Sequence, residues 1–251
     1  MNKHKTRMVA LVLAIGLSGA AQAALQGRDL DGNLATFEAY YDTVLNITWL
    51  ADANYAKTSG YDADGRMNWA DANTWAANIS FTDGVNVYDN WRLPTVSPIN
   101  GSTFNYSLSY NGSTDVGYSI SEQGTAYAGS IGSEMAHLFY SSLDNKGFCD
   151  SASSTANSCV NPEAWGLTNV GAFTNFQSYN YWSGTEYAPY TYGAWGFDFN
   201  AGTQHAPTKT KSLYALAVSP GDVGAVPEAS AYAMMLAGLG LVGAAAKRRR
   251  G

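Results

Sequence analysis

Long apolar runs occur only near the two ends of the chain, where they predict membrane-directed segments rather than parts of a folded domain. Near the N-terminus, the apolar stretch 8–17 follows three cations and precedes an Ala-Gln-Ala sequence ending at Ala23. This order is typical of a signal peptide covering 1–23, which signal peptidase would remove after Ala23. Near the C-terminus, the sixteen residues 231–246 are apolar. As a helix they would span about 24 Å, slightly less than the roughly 30 Å hydrocarbon core, so a short transmembrane helix is expected.

Between these ends, residues 24–225 are long enough for one exported domain, and their pattern predicts short elements joined by long loops. Two stretches have helical spacing of apolar residues, and each follows a suitable N-cap: Asn68 before 69–79 and Ser133 before 134–143. The stripes expected to be buried are Trp69, Ala72, Ala76 and Ile79 in the first helix, and Met135, Leu138 and Phe139 in the second.

Three apolar stretches predict strands, at 46–50, 194–199 and 213–218. In 194–199 large residues alternate with small or polar ones, so one face is expected to be buried. Both faces of 213–218 are apolar, which predicts a central strand. Residues 98–129 are rich in Ser, Asn, Gly and Tyr and show little periodicity, which predicts a long surface excursion.

The charge of the exported part differs from that of the whole chain. The formal net charge of the chain is −6, but 24–225 contains 7 Lys and Arg against 19 Asp and Glu, a net charge of −12. Such a surface repels nucleic-acid phosphates and attracts divalent cations. We therefore expect no nucleic-acid partner.

Cys149 and Cys159 are the two cysteines of the chain, and both lie in the exported part. An even number of cysteines in an oxidising compartment favours a disulfide. The bond would close a polar loop of 11 residues and stabilise the fold by roughly 2–3 kcal/mol. A redox or metal-binding pair is the alternative, but neither a C-x-x-C spacing nor a nearby His supports it.

The last 26 residues resemble the PEP-CTERM sorting signal. They contain a Pro-Glu element, then the apolar run, then a cluster of cations; Ala229 stands where the second Pro would be expected. The resemblance implies cleavage by exosortase near the Pro-Glu element and transfer from the inner membrane to the cell surface or extracellular matrix of a Gram-negative bacterium. An ordinary tail anchor is the alternative. The signal residues are Pro227, Glu228, Arg248, Arg249 and Arg250.

A second resemblance covers most of 28–223. It depends on ITWLADANY, MNWADANTWAANI, WRLPT, SEMAHLFY, YWSGTEYAP, AWGFDFNAG and ALAVSPGDV. Together these motifs resemble the Lcl C-terminal-domain family of exported bacterial proteins and, more distantly, the formylglycine-generating-enzyme branch of C-type-lectin-like folds. The resemblance implies one α+β domain with a small twisted antiparallel sheet, two or three helices and long loops.

The sequence does not favour an enzyme. The exported part has two histidines, His137 and His205, and it lacks the H-E-x-x-H, G-x-S-x-G, P-loop and Rossmann motifs. The formylglycine-generating relatives use a cysteine pair to bind copper, whereas Cys149 and Cys159 lie in a short polar loop. Arg92 in WRLPT is expected to pair with backbone carbonyls or an acid inside the fold, with an anion site as the alternative.

Two acidic turns resemble the start of a calcium loop, because oxygen ligands surround a glycine. The candidate ligands are Asp29, Asp31 and Asn33 in the first turn and Asp62 and Asp64 in the second. Neither turn has the Glu that completes an EF-hand, so ordinary Asx turns are the alternative. An unchanged melting temperature on adding millimolar calcium to the chelated protein would exclude the calcium interpretation.

The segment 177–205 is the strongest candidate for ligand binding, because tyrosine presents a flat apolar face and a polar tip to sugars or proteins. The alternative is a Tyr-rich segment that packs on its own domain. For Glu186 the alternatives are a polar anchor for the ligand and a buried partner of Arg92. The candidate residues are Tyr179, Tyr181, Glu186, Tyr187, Tyr190, Tyr192, Asn200 and Gln204.

These observations predict a non-enzymatic exported protein of the surface or matrix that is sorted by exosortase and binds polysaccharide or another surface component. One alternative is a structural or adhesive matrix protein that self-associates without a defined ligand. Another is a degenerate enzyme of the formylglycine-generating-enzyme-like fold.

Overall fold

The computed structural model describes residues 25–33 and 35–224. The predicted signal peptide 1–23 and the predicted sorting segment 226–251 lie outside these residues, and so do Ala23, the Pro-Glu element, the apolar run and the terminal arginines. Among the described residues, no helix is both long enough and apolar enough to cross a membrane.

Short strands make up most of the regular structure, and helices are few. In chain order the elements are β1 (Leu25–Arg28), β2 (Ala39–Asp42), β3 (Ile47–Leu50), α1 (Tyr55–Thr58), β4 (Arg66–Met67), α2 (Trp69–Ala77), β5 (Phe81–Thr82), β6 (Val87–Tyr88), β7 (Leu108–Ser109), β8 (Val116–Tyr118), α3 (Glu134–His137), a π-helical turn (Leu138–Ser142), β9 (Asn180–Glu186), β10 (Ala194–Asp198), β11 (Thr203–His205), β12 (Leu213–Tyr214) and β13 (Val218–Pro220).

The strands form two main sheets and a hairpin. One sheet has four antiparallel strands in the order β1-β2-β3-β13, and the other has seven in the order β4-β12-β9-β10-β11-β8-β7. The β12–β9 and β7–β8 pairs are parallel. The predicted combination of sheet with few helices is therefore confirmed. The prediction of one small antiparallel sheet is wrong, because the larger sheet is mixed.

Both predicted helices begin at the expected caps. The Asn68 side chain accepts a hydrogen bond from Asp71 N at 3.0 Å, and Ser133 Oγ accepts one from Ala136 N at 3.3 Å. These bonds satisfy amide groups that have no partner within the helix. The second helix changes to π geometry at Leu138.

The strand predicted at 213–218 is wrong as a single element. Leu213 and Tyr214 belong to the seven-stranded sheet, whereas Val218 pairs with β3 in the four-stranded sheet. The intervening residues 215–217 are buried and join the two sheets. The segment is apolar on both faces because it crosses between two sheets.

Residues 98–129 are less superficial than their composition suggests. They contribute β7 and β8 to the large sheet, and they bury Ile99, Asp115 and Ile120. The Asp115 carboxylate accepts hydrogen bonds from Ile99 N at 2.8 Å and from Asn105 N at 2.6 Å. A buried polar side chain thus folds the segment onto the sheet, and hydrophobic periodicity cannot reveal such an anchor.

Core clusters pack against both faces of the large sheet at strand β9. Tyr181 packs into the cluster that contains Phe139 and Phe197, and the next residue, Trp182, packs into the cluster that contains Trp75. Successive strand residues point to opposite faces, so both faces are covered here. Trp49, Trp75, Trp91, Trp182 and Trp195 are all buried, and Trp69 is half-buried.

The predicted disulfide between Cys149 and Cys159 is present, with Cα atoms 5.1 Å apart. Cys149 is fully buried, and its carbonyl accepts a hydrogen bond from Ser119 Oγ at 2.9 Å. This hydrogen bond attaches the disulfide-closed loop to the loop after β8. The disulfide loop is therefore part of the packed domain.

The ion pair between Arg92 and Glu134 is the most buried described pair after that of Arg28 and Asp222. Arg92 Nη2 and Nη1 donate to the Glu134 carboxylate, at 2.7 and 2.8 Å, and Thr95 N donates to the same carboxylate at 2.6 Å. Arg92 therefore pairs with an acid, as expected. The alternative that Glu186 is its partner is wrong, because Glu186 pairs with Lys209.

Replacing Glu134 by Ala should lower the free energy of unfolding by about 2–3 kcal/mol, because Arg92 and Thr95 N lose their acceptor in a largely buried place. Glu186→Ala, which breaks a more exposed pair, should cost less than about 1 kcal/mol. Urea unfolding of both variants measures the difference. Equal destabilisation would contradict the structural importance of the Arg92–Glu134 pair.

Candidate functional site

The tyrosine-rich segment 177–205 folds into β9, β10 and β11 and the turns that connect them. Asn180 pairs with Asp198 at one end of β9, and Glu186 pairs with Ala194 at the other. Six residue-to-residue steps along the strand separate these ends by about 20 Å. The predicted ligand-binding residues therefore divide into two groups that cannot form one small site.

Three of the predicted binding residues are buried in the interior of the domain. Tyr181 and Gln204 have no exposed surface, and Tyr187 is 7% exposed. Tyr181 Oη accepts a hydrogen bond from Gln177 N at 2.9 Å, and Gln204 Nε2 donates to Asp115 O at 2.8 Å. These side chains therefore have no free surface for a ligand. Tyr181 and Gln204 point into the interior because of the register in which their strands pair with β10.

Tyr179 and Asn200 lie at the far end of β9. Tyr179 is 44% exposed and contacts the edge of Tyr214, with ring centroids 6.0 Å apart. Asn200 Oδ1 accepts a hydrogen bond from Ser178 Oγ at 3.2 Å. These residues are accessible, but they are separated from Tyr192 by the length of the strand.

The other end of β9 carries a group of surface residues that we call the tyrosine platform: Tyr190, Tyr192, Trp69, Glu186 and Lys209. Tyr192 is 64% exposed and stacks on Tyr190, with ring centroids 4.6 Å apart. Lys209 connects the group: its backbone N donates to Tyr192 O at 2.9 Å, and its Nζ lies 4.3 Å from the centre of the Trp69 ring and pairs with Glu186.

The tyrosine platform is supported from below by buried aromatic rings. Tyr190 contacts Tyr187 at 4.6 Å between centroids, and Tyr187 contacts Trp195 at 4.8 Å. Trp195 is fully buried. The exposed Tyr192 ring is thus the outer member of a packed series, so its orientation costs little additional entropy when a ligand binds.

The first acidic turn brings together a different set of oxygens from the one predicted. Ligand atoms of Asp29, Asp31 and Glu38 lie within 4.8 Å of one another, whereas Asn33 Oδ1 accepts a hydrogen bond from Ala35 N at 3.3 Å. Sequence spacing could not identify Glu38, because the pairing of β1 with β2 brings it to the turn. A calcium ion at this turn stays a prediction.

The second acidic turn has the features of the Asx-turn alternative. Asp62 Oδ1 accepts hydrogen bonds from Asp64 N and Gly65 N, at 3.0 and 2.8 Å. Arg66 pairs with the Asp64 carboxylate at 2.6 Å. A cation at Asp64 would therefore have to compete with this guanidinium.

Of the two histidines in the exported part, His137 is buried and His205 is partly exposed. His137 is 3% exposed, and its Nδ1 lies 3.3 Å from Ser130 O. Burial lowers the pKa of both His137 and His205, so the neutral imidazole is favoured. Among the described residues, no carboxylate makes a hydrogen bond with either ring. The absence of enzymatic activity stays a prediction.

Glu122 is a partly buried acid next to the disulfide loop. Its Oε2 has no hydrogen-bond partner among residues 25–33 and 35–224. Burial raises the pKa of Glu122 to about 7; Asp150 adds to the rise, while hydroxyls of Ser119 and Ser151 and the charge of Lys146 oppose it. Nothing in the sequence distinguishes this carboxyl from the other acids, because its environment comes from the loop packing.

Comparison with known proteins identifies one segment. Residues 225–250 match the family model described as the PEP-CTERM protein-sorting motif. This confirms the predicted sorting signal and indicates an exported protein that is held transiently at the membrane before processing by exosortase. No curated protein and no solved structure matches the chain.

Replacing Glu122 by Gln should remove a pH dependence of stability. Because folding raises the pKa of Glu122 from 4.5 to about 7, the folded state should lose stability as the pH rises from about 4.5 through about 7, by up to about 3 kcal/mol. Glu122→Gln should be more stable than the parent at pH 8 and similar to it at pH 4.

Urea unfolding followed by tryptophan fluorescence across this pH range measures the effect. Glu163→Gln, at an exposed acid, is the matched control and should leave the profile unchanged. Parallel pH profiles of the parent and Glu122→Gln would contradict the assignment.

Proposed function

We propose that the processed protein is a non-enzymatic component of the cell surface or extracellular matrix and binds polysaccharide through the tyrosine platform. The PEP-CTERM motif at 225–250 supports the destination. The observation that carries the binding step is the Tyr192 ring, 64% exposed on a packed aromatic series. An aromatic face next to polar groups matches a sugar ring, which has both apolar and hydroxylated surfaces.

The polar part of the proposed site is the Glu186–Lys209 pair. A carboxylate accepts hydrogen bonds from sugar hydroxyls, and an ammonium group donates to their oxygens. Half of the Glu186 side chain is exposed, so its oxygens remain accessible beside Lys209. The net charge of −12 over 24–225 favours neutral polysaccharides over strongly acidic ones.

We further propose that the domain is related to the Lcl C-terminal family and has a C-type-lectin-like architecture. The motif residues that suggested this relation have structural places: Trp91 is buried, Arg92 pairs with Glu134, and Trp182 fills the core. These places support a folding role for the motif residues rather than a catalytic one.

Sorting by exosortase predicts a mature C-terminus near Pro227, because cleavage in this family occurs near the Pro-Glu element. Mass spectrometry of the surface and matrix fractions measures the C-terminal peptide. Surface-exposed protein that retains Arg248, Arg249 and Arg250 would contradict processing and favour an ordinary tail anchor.

Tyr192→Ala should weaken retention of the protein on the exopolysaccharide of its own host by about tenfold, because the exposed stacking face is lost. Tyr61→Ala removes an exposed tyrosine, 49% accessible, from the loop between α1 and β4 and should leave retention unchanged. Affinity electrophoresis in the polysaccharide measures both. Unretained parent protein that forms concentration-dependent oligomers would instead favour a self-associating matrix protein.

A further inference from the structure

The fold also contains a concave surface that shares no residue with the tyrosine platform. This aromatic cleft has a volume of about 220 Å³ and is formed by the start of β2, the end of β3, α1, β5 and the loop around Ala172. Its chemically distinctive residues are four aromatic side chains and two acids: Phe37, Tyr40, Tyr55, Phe81, Glu38 and Asp52.

The walls of the aromatic cleft are held in place by the protein itself. Ala51 N donates to Glu38 O at 2.8 Å, and Thr174 N donates to Ala51 O at 2.9 Å, so backbone hydrogen bonds join three lining segments. The Tyr55 and Phe81 rings contact each other with centroids 5.5 Å apart. A cleft formed before binding costs a ligand little ordering entropy.

The wall formed by Tyr40 is also held in place by contacts within the protein. The Tyr40 ring packs edge-on against Phe173, with centroids 5.4 Å apart, and Tyr40 Oη donates to Ala172 O at 3.2 Å. Tyr40 and Tyr55 are half-buried, so each ring keeps an accessible part in the cleft.

The two acids of the aromatic cleft accept hydrogen bonds from neutral groups. Glu38 accepts from Leu30 N at 3.0 Å and from Thr36 Oγ1 at 2.8 Å. Asp52 accepts from Asn54 N and from Asn175 Nδ2, each at 2.9 Å. Within the part of the chain that the structure describes, neither acid forms an ion pair.

Further negative charge lies next to Glu38, because its carboxylate is close to those of Asp29 and Asp31. Neither Lys nor Arg is among the lining residues. Burial and the charge of Glu38 raise the pKa of Tyr40, and burial and the charge of Asp52 raise the pKa of Tyr55. Both phenols therefore stay neutral. The negative charge of Glu38 acts at Tyr40, and that of Asp52 acts at Tyr55.

We propose that the aromatic cleft binds the substituted ammonium group of a small organic molecule. Ring faces attract a cation through their quadrupole, and carboxylates add direct charge complementarity. Alkyl groups on the ammonium nitrogen can pack against the rings and Leu50, whereas a hydrated metal ion has no apolar surface to pack there. The volume is below the roughly 300–1,000 Å³ of sites for drug-sized ligands, so the cleft suits a headgroup.

Choline chloride is the probe, and 3,3-dimethylbutan-1-ol, which has the same shape without the charge, is its control. Isothermal titration of the full-length protein in detergent, with ionic strength matched by sodium chloride, should show saturable choline binding below about 50 mM. The neutral isostere should bind at least about tenfold more weakly. Equal binding of both compounds, or no saturable binding of choline, would overturn the proposal.

Neighbouring tyrosines on β2 provide a matched pair of variants. Tyr40 faces the cleft, whereas the Tyr41 ring lies 5.2 Å from the guanidinium of Arg28 and is absent from the lining. Tyr40→Leu should weaken choline binding about tenfold, because leucine keeps an apolar side chain at this position but has no ring face. Tyr41→Leu should leave it unchanged. Equal losses in both variants would overturn the proposal.

A charge variant and a lipid arm complete the test. Glu38→Gln keeps a hydrogen-bond acceptor and should weaken choline binding several-fold, whereas Glu163→Gln should not; no difference between them would overturn the role of charge. The same ammonium group occurs on free solutes and on phosphatidylcholine. Co-sedimentation with phosphatidylcholine vesicles that Tyr40→Leu abolishes would identify a lipid source, and binding of choline without it would identify a free solute.

Discussion

The Arg92–Glu134 ion pair connects the two sheets of the domain. The backbone of Arg92 exchanges two hydrogen bonds with Val218 of the four-stranded sheet, at 2.9 and 2.8 Å. Glu134 begins α3, and its neighbour Ser133 bonds to Gln204 in the seven-stranded sheet. Removal of either charged partner would leave its counterpart uncompensated, so the ion pair stabilises this connection between the two sheets.

Aromatic residues supply much of the remaining cohesion, and two groups of them extend from the core to the candidate binding surfaces. The series from Trp195 to Tyr192 carries a buried contact outward to the tyrosine platform. In the aromatic cleft, Tyr40 packs against the core residue Phe173 and also lines the cleft. In both places the rings that could meet a ligand are oriented by rings that hold the domain together.

The hydrophobic pattern predicted the helix starts well, because capping is local. Asn68 and Ser133 form hydrogen bonds with amides three residues ahead, and no distant contact is needed to create them. The same kind of reasoning was wrong for 213–218 and incomplete for 98–129. In the first case an apolar segment crosses between two sheets, and in the second a buried Asp115 holds a polar segment.

The sequence by itself determined the sorting motif at 225–250, the cysteine pair and the acidic character of the exported part, because these depend on residue order and composition alone. Only the tertiary structure decided which candidate residues are accessible. Strand register buried Tyr181 and Gln204, the turn between β9 and β10 left Tyr192 exposed, and the β1–β2 pairing brought Glu38 to Asp29. Accessibility and convergence arise from contacts between distant segments, and a local pattern of residue types contains no information about them.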